Sequence, residues 1–167
     1  YPLCYWLTKM KDRTASILMI FVLVPFWTSI LVRTYAWLVL LQRKGIINSS
    51  LVSLGIIDEP IQLAHNLTGS IIGMVHIMLP FLILPLYATM RGIDTDLVRA
   101  ALGLGSTPRK AFWHVFFPMS LPGLFAGIVL VFILSLGFFV TPALLGGGRV
   151  QMLAQRIEST ITIYSNW

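Results

Sequence analysis

Charged side chains are scarce in this sequence of 167 residues. Asp, Glu, Lys and Arg together make up 11% of it, whereas 57% is hydrophobic and the mean hydropathy is +0.85. Soluble domains carry roughly 25% charged residues. So little charge excludes a water-soluble globule and predicts a protein integral to the lipid bilayer.

Features typical of enzymes and of nucleic-acid-binding proteins are missing as well. The single cysteine, Cys4, excludes an internal disulfide. No carboxylate lies within a long apolar stretch, and neither Cys-x-x-Cys nor His-Glu-x-x-His occurs, which argues against the rival class, a membrane-embedded enzyme. The basic residues are scattered between apolar stretches rather than gathered on one face, so we expect no nucleic-acid partner.

Three apolar stretches have the length needed to cross a bilayer, about 20 residues of helix. They cover about residues 14–37, 68–90 and 119–142. These spans predict an all-α, polytopic transmembrane bundle in a single domain over residues 1–167. The segment 38–67 is then a loop on one side of the membrane, and 91–118 is a loop on the other.

The loop cations orient the chain. Seven of them fall before the first span or between the second and third, against four in the other two loops. The seven are Lys9, Lys11, Arg13, Arg91, Arg99, Arg109 and Lys110, and the four are Arg43, Lys44, Arg149 and Arg156. Cytoplasmic loops are the basic ones, so 91–118 is predicted to be cytoplasmic and 38–67 external.

The loop 91–118 has the signals of two short helices joined by a hinge. Asp94 or Thr95 is suited to cap the first helix, and Gly103 and Gly105 to end it, since glycine accepts the left-handed conformation of a helix C-terminus. The run 106–108, Ser-Thr-Pro, supplies a cap and a first-turn proline for the second helix. Pro118 is expected to end that second helix.

We call residues 91–118 the elbow. The spacing of residues in the elbow resembles that in the EAA loop of binding-protein-dependent ABC transporter permeases. That family pattern is Glu-Ala-Ala, three residues, Gly, nine residues, Ile, one residue, Leu-Pro. The matching residues here are Arg99, Ala100, Ala101, Gly105, Val115, Phe117 and Pro118. The spacing agrees throughout, and the one change of charge is Arg99 in place of the usual Glu.

Residues 24–37, 44–58 and 78–90 are in turn similar to the spermidine/putrescine permease branch of that family. The resemblance implies the ABC importer permease fold with a helix-turn-helix coupling elbow. Such permeases have about six spans, so the three seen here are expected to be central ones, with further spans missing on either side.

The resemblance also implies a function. The chain would be the permease subunit of an ATP-driven importer in the bacterial inner membrane, working by alternating access. It would carry no cofactor, because ATP is bound by a separate ABC ATPase subunit that receives the elbow. A second permease subunit and a periplasmic solute-binding protein would complete the assembly. The expected cargo is a polyamine; iron, sulfate, phosphonate and opine importers share the scaffold and stay open as alternatives.

A cationic cargo favours aromatic partners along its pathway, through cation–π contacts. The candidates are Phe26, Trp27, Thr28 and Ser29, directly after a proline in the first span, together with Tyr87. Aromatic residues near the ends of spans also serve as interfacial anchors, and the sequence leaves both roles open.

Overall fold

The computed structural model describes residues 1–148 and 150–164 of the chain. Every regular element in these ranges is helical, which confirms the all-α prediction. Arg149, one of the loop cations, lies outside the described residues. The helices are α1 (Pro2–Thr8), α2 (Asp12–Leu23), α3 (Ile30–Leu41), α4 (Ile46–Ser53), α5 (Leu67–Arg91), α6 (Thr95–Gly103), α7 (Pro108–Ala111), α8 (Phe117–Leu136), α9 (Val140–Leu145) and α10 (Leu153–Tyr164), with a 3-10 turn at Val24–Trp27 and a π-helical turn at Phe112–Phe116.

Two helical segments in the described ranges are long and apolar enough to cross a membrane. They are Leu67–Arg91 and the continuous helix Pro108–Leu136, formed by α7, the π turn and α8. The bent pair Asp12–Trp27 and Ile30–Ser53 makes a third only if it is counted as one span. The three predicted spans therefore correspond to two straight candidates and one broken one.

The break in the first predicted span lies within residues 14–37, after a proline. Helix α2 ends at Leu23, the turn that contains Pro25 follows, and α3 begins at Ile30. Proline has no N–H to donate and its ring clashes with the carbonyl four residues earlier. The stretch is therefore apolar, and its backbone bends by 98° after the proline instead of continuing as one straight helix.

Pro118 does not end the second elbow helix, contrary to the prediction. The chain widens into the π turn, where the Phe117 N–H donates to the carbonyl of Phe112, five residues back. This wider turn moves the preceding carbonyls away from the proline ring, so the helix runs on to Leu136. The third span thus starts at Pro108, inside the elbow, rather than near residue 119.

The chain forms two compact units. Unit 1 comprises Tyr1–Leu23 and Leu79–Phe132. Its core is a single cluster of buried side chains from α1, α2, the second half of α5, the elbow and the π turn. The fully or nearly fully buried members include Cys4, Leu7, Met19, Ile83, Leu86, Met90, Ile93 and Phe116.

Unit 2 comprises Val24–Met78 and the chain from Ile133 onward. Helix α3 packs against α9 there, and the buried hydroxyls of Thr34 and Thr141 lie 3.0 Å apart in a hydrogen bond. Asn48 holds together the segment 38–67, which is the predicted external loop. Its buried amide donates to the carbonyls of Gln42 and Ile61 and accepts from the Ile61 N–H. Side-chain hydrogen bonds thus secure this segment, several of whose apolar side chains, among them Ile46, Leu54 and Ile56, stay exposed.

Close backbone approach in unit 1 generates a test of its packing. A Cβ added at the buried Gly123 of α8 would lie 2.8 Å from the carbonyl oxygen of Pro85 in α5, so Gly123→Ala forces the helices apart. We expect the free energy of unfolding of the full-length protein to fall by about 1–3 kcal/mol, the usual cost of overpacking. Thermal unfolding in detergent measures it. Gly137→Ala is the control, since its Cβ meets nothing nearer than 4.0 Å; equal effects would contradict the proposed contact.

Candidate functional site

The elbow of unit 1, residues 91–118, is the candidate functional site, and its first helix begins as predicted. Asp94 is the N-cap of α6, and its carboxylate accepts a hydrogen bond of 2.9 Å from the Asp96 N–H. This satisfies one of the free amides at the helix start. Of the two predicted caps, Asp94 is the one used.

Gly105 ends α6 in a left-handed conformation with φ of +86°. The Gly105 N–H donates to the carbonyl of Leu102, and the Ser106 N–H donates to that of Ala101, at 3.0 and 3.1 Å. These two bonds form a Schellman motif, which favours glycine because a Cβ is strained at this backbone angle. The family-matched glycine is thus required by the local fold as well as by any docking role.

Helix α6 has an inner and an outer face. Val98 packs onto the core of unit 1 beside the buried Ile93, whereas Ala100 is exposed and Leu104 is 89% exposed. No heavy atom comes within 4 Å of a Cβ placed at Gly105. The exposed apolar surface of this segment therefore consists of three leucines, Leu97, Leu102 and Leu104, with small residues beside them, and it is open along the hinge.

Arg99, which replaces the usual Glu, pairs within its own helix. Its guanidinium donates to the Asp96 carboxylate at 3.0 Å, and the two side chains are 78% and 74% exposed. An exposed pair at this i, i+3 spacing contributes only a few tenths of a kcal/mol. The pair therefore leaves the charge of Arg99 available to other groups.

The second elbow helix starts as predicted. Thr107 is its N-cap, accepting from the Lys110 N–H at 3.4 Å, and Pro108 occupies the first turn. Of the remaining family-matched residues, Val115 and Phe117 are half-buried, and Pro118 is exposed on the continuing helix.

An aromatic cluster joins α1 to this helix. The Tyr5 ring lies edge-on to Phe112 and Phe116, each at 5.0 Å between ring centroids. The Tyr1 hydroxyl shares a hydrogen bond of 2.6 Å with that of Ser120. Edge-to-face pairs stabilise by about 0.5–1.5 kcal/mol each beyond their area burial. Sequence reasoning missed this contact, although the density of aromatic residues at 112–117 and in the first helix was a signal for it.

The pathway candidates are divided between the two units. In unit 2, Phe26 and Trp27 lie on the 3-10 turn with their rings 6.4 Å apart, and Trp27 is 79% exposed. Thr28 and Ser29 are exposed at the break before α3, and the Thr28 hydroxyl donates to the Pro25 carbonyl.

In unit 1, the remaining candidate, Tyr87, packs on the core, and its hydroxyl accepts a hydrogen bond of 2.8 Å from Arg91. The Arg91 guanidinium also lies 2.8 Å from the Asp12 carboxylate. Tyr87 therefore belongs to an anchoring network at the end of α5. In unit 2 the Trp37 indole donates to His76 at 3.0 Å, so His76 is held by a hydrogen bond within that unit.

Comparison of the sequence with known proteins assigns the chain to a family. The family model described as binding-protein-dependent transport system inner membrane component matches residues 2–165. The spermidine/putrescine transport system permease protein PotB of Haemophilus influenzae is 37% identical over 167 residues, covering 100% of this chain and 58% of the relative.

Two further relatives come from Escherichia coli. PotB of that organism is 34% identical over the whole chain and 61% of its own length. The inner membrane ABC transporter permease protein YdcU is 32% identical over 160 residues, covering 87% of this chain and 50% of the relative. The chain thus spans about three fifths of the length of the PotB relatives it matches.

The match covers the elbow, the long helices and α1 together, and the relatives are transport permeases, so the expectation of a permease-family subunit rather than an enzyme is confirmed. The apolar helices and the family description agree on the inner membrane as its location. This chain belongs to the family of binding-protein-dependent transport system inner membrane components.

Proposed function

We propose that the protein containing this chain is the transmembrane permease subunit of an ATP-driven ABC importer whose cargo is a polyamine such as spermidine or putrescine. The observation that carries the proposal is the open outer face of the elbow, where Ala100, Leu104 and Gly105 are left uncovered. Small residues next to exposed leucines suit a surface that another protein approaches closely.

The proposed partner at this face is a separate ATPase subunit. ATP binds there and not on this chain, which therefore takes no cofactor of its own. The glycines near Lys110 lack the G-x-x-x-x-G-K-[ST] spacing of a phosphate loop. In the elbow they serve instead to end α6, while Thr107 caps the next helix.

Helical continuity supplies the proposed coupling. The second elbow helix and the third span are one helix, Pro108–Leu136, so a force applied at the elbow acts directly on a membrane-crossing segment. The aromatic contacts of Tyr5 with Phe112 and Phe116 carry α1 along with that movement. Closure of the ATPase would thereby switch the spans between two states of access, in the manner of alternating access.

The other partners follow from the family description, which names a binding protein. We propose a periplasmic solute-binding protein that delivers the cargo, and a second permease subunit that completes the pathway. The relatives named for spermidine and putrescine, at 37% and 34% identity over the whole chain, favour a polyamine cargo. A 2-aminoethylphosphonate permease relative is 28% identical over 80% of the chain, so the lower similarity makes phosphonate the second choice.

Gentle purification of the tagged full-length protein from its native membrane tests the assembly. We expect a stoichiometric ABC ATPase and a second permease to co-purify, and uptake of radiolabelled spermidine to depend on ATP and on the cognate binding protein. Recovery of the protein alone, under conditions that preserve known importer complexes, would contradict the docking role. Uptake of an aminophosphonate but not of spermidine would contradict the cargo only.

Gly105→Asp tests the elbow. We expect uptake to fall by at least about tenfold, since a charge then faces the partner in a site that requires an uncharged close contact, while membrane insertion and expression stay normal. Gly55→Asp is the matched control: Gly55 also has positive φ, at +68°, also ends a short helix, and also has nothing within 4 Å of its Cβ, but it lies in the predicted external loop. Equal losses would assign both effects to backbone strain and remove the docking argument.

Trp27→Ala tests the pathway. If the indole contacts a cationic cargo, uptake should fall roughly 2- to 30-fold, which corresponds to the 0.5–2 kcal/mol of a cation–π contact. Trp6→Ala is the control, because Trp6 is likewise exposed but lies in α1 of unit 1. Initial rates of spermidine uptake in proteoliposomes provide the measurement. Unchanged uptake in the Trp27 variant would remove the residue from the pathway.

A further inference from the structure

A cavity of about 430 Å³ lies within unit 1, beside the elbow. Its walls come from the turn between α1 and α2, the last residues of α5, and the inner side of α6. Three cations line it, Lys9, Arg91 and Arg99, against one carboxylate, that of Asp12. The lining therefore carries a net positive charge, and no part of the proposed transport mechanism uses it.

Lys9 and Arg99 are only weakly engaged by the protein itself, whereas Arg91 also donates to the Tyr87 hydroxyl at the end of α5. The ion pairs Arg91–Asp12 and Arg99–Asp96 are exposed, and pairs of this kind add little to stability because water screens them. The Lys9 ammonium lies over the Tyr5 ring at 5.2 Å from its centroid, and no carboxylate pairs with it within the described ranges. An incoming anion can therefore bind Lys9 and Arg99 without breaking a strong internal contact.

The other part of the lining is apolar. Met90, Ile93, Val98 and Phe116 contribute their side chains to it. Arg91 is the last residue of a 25-residue helix that is long enough to cross the membrane. The cavity thus lies where a hydrocarbon core meets the headgroup layer, on the side predicted to be cytoplasmic. Thr95, the first residue of α6, also lines the cavity.

We propose that this cavity binds the phosphate of an anionic phospholipid, with the glycerol region of the lipid against the apolar wall. Basic pockets between membrane helices on the cytoplasmic side are suited to anionic headgroups. The apolar wall at the end of a span favours a lipid over a free phosphate ion, which needs no such surface. Arg99 has a role in this site because it extends the cationic lining onto the elbow.

The site makes the elbow sensitive to the composition of the inner leaflet. A headgroup that bridges Lys9, Arg91 and Arg99 links the α1–α2 turn, the end of α5 and α6 at one point. This inference goes beyond the proposed transport function and does not depend on the cargo.

Lipid titration tests the proposal. The full-length permease, with whatever subunits co-purify, is delipidated in mild detergent and titrated with phosphatidylglycerol or phosphatidylcholine, and bound lipids are counted by native mass spectrometry. We expect one phosphatidylglycerol to bind more tightly than phosphatidylcholine. The double variant Lys9→Gln with Arg99→Gln should weaken that binding about tenfold or more, since each cation near an anionic headgroup contributes to the attraction.

The matched control is Lys11→Gln with Arg13→Gln. It removes the same charge from exposed neighbouring positions that do not line the cavity, and we expect lipid binding to be retained. Equal losses in the two double variants, or equal affinity for the two lipids, would overturn the site. Displacement of phosphatidylglycerol by millimolar inorganic phosphate would overturn its identity as a lipid site and make it a small-anion site. Because the readout is lipid binding, its failure is distinct from a failure of uptake or of ATPase co-purification.

Discussion

The π turn at Phe112–Phe116 is the local feature on which the rest of unit 1 depends. A proline within a regular helix loses one hydrogen bond and clashes with the preceding turn. Here the turn before Pro118 is widened, so that the Phe117 N–H reaches back five residues and the helix continues to Leu136. Because the widened turn accommodates Pro118, the second helix of the elbow and the membrane-crossing segment form one continuous helix. A continuous helix is also favoured in a bilayer, because lipid offers no hydrogen-bond partners for the backbone groups that a break would leave unpaired.

The same turn presents its aromatic side chains to α1. Phe112 and Phe116 contact Tyr5, and Phe116 is buried in the core that includes Met90 and Leu7. The inner side of the elbow is therefore fixed to the unit by ordinary apolar packing. Its outer side is left bare, and a surface that is anchored on one face and open on the other is suited to receive a partner and pass on its movement.

Charged side chains are scarce in this sequence, so the position of each one in unit 1 is informative. Several of them gather where α5 ends and α6 begins, in exposed pairs that involve Asp12, Arg91, Asp96 and Arg99. Each pair contributes little by itself. Three of them, Asp12, Arg91 and Arg99, line a cavity together with Lys9, and the excess of positive charge in that lining comes from Lys9 and from Arg99, whose partner Asp96 lies outside the lining.

The sequence by itself determined the membrane class, the helical content, the cap at Thr107, and the short sets of residues at which α6 begins (Asp94 or Thr95) and ends (Gly103 and Gly105), because each follows from local chemistry over a few residues. The family match of the elbow also followed from spacing alone. Only the tertiary structure decided that Pro25 breaks its span while Pro118 is absorbed in a continuous helix, since the outcome depends on whether the surrounding backbone can widen. It likewise decided that α1 packs on the π turn and that Arg99 borders a cavity, because contacts between residues distant in the chain leave no periodic signal in the sequence.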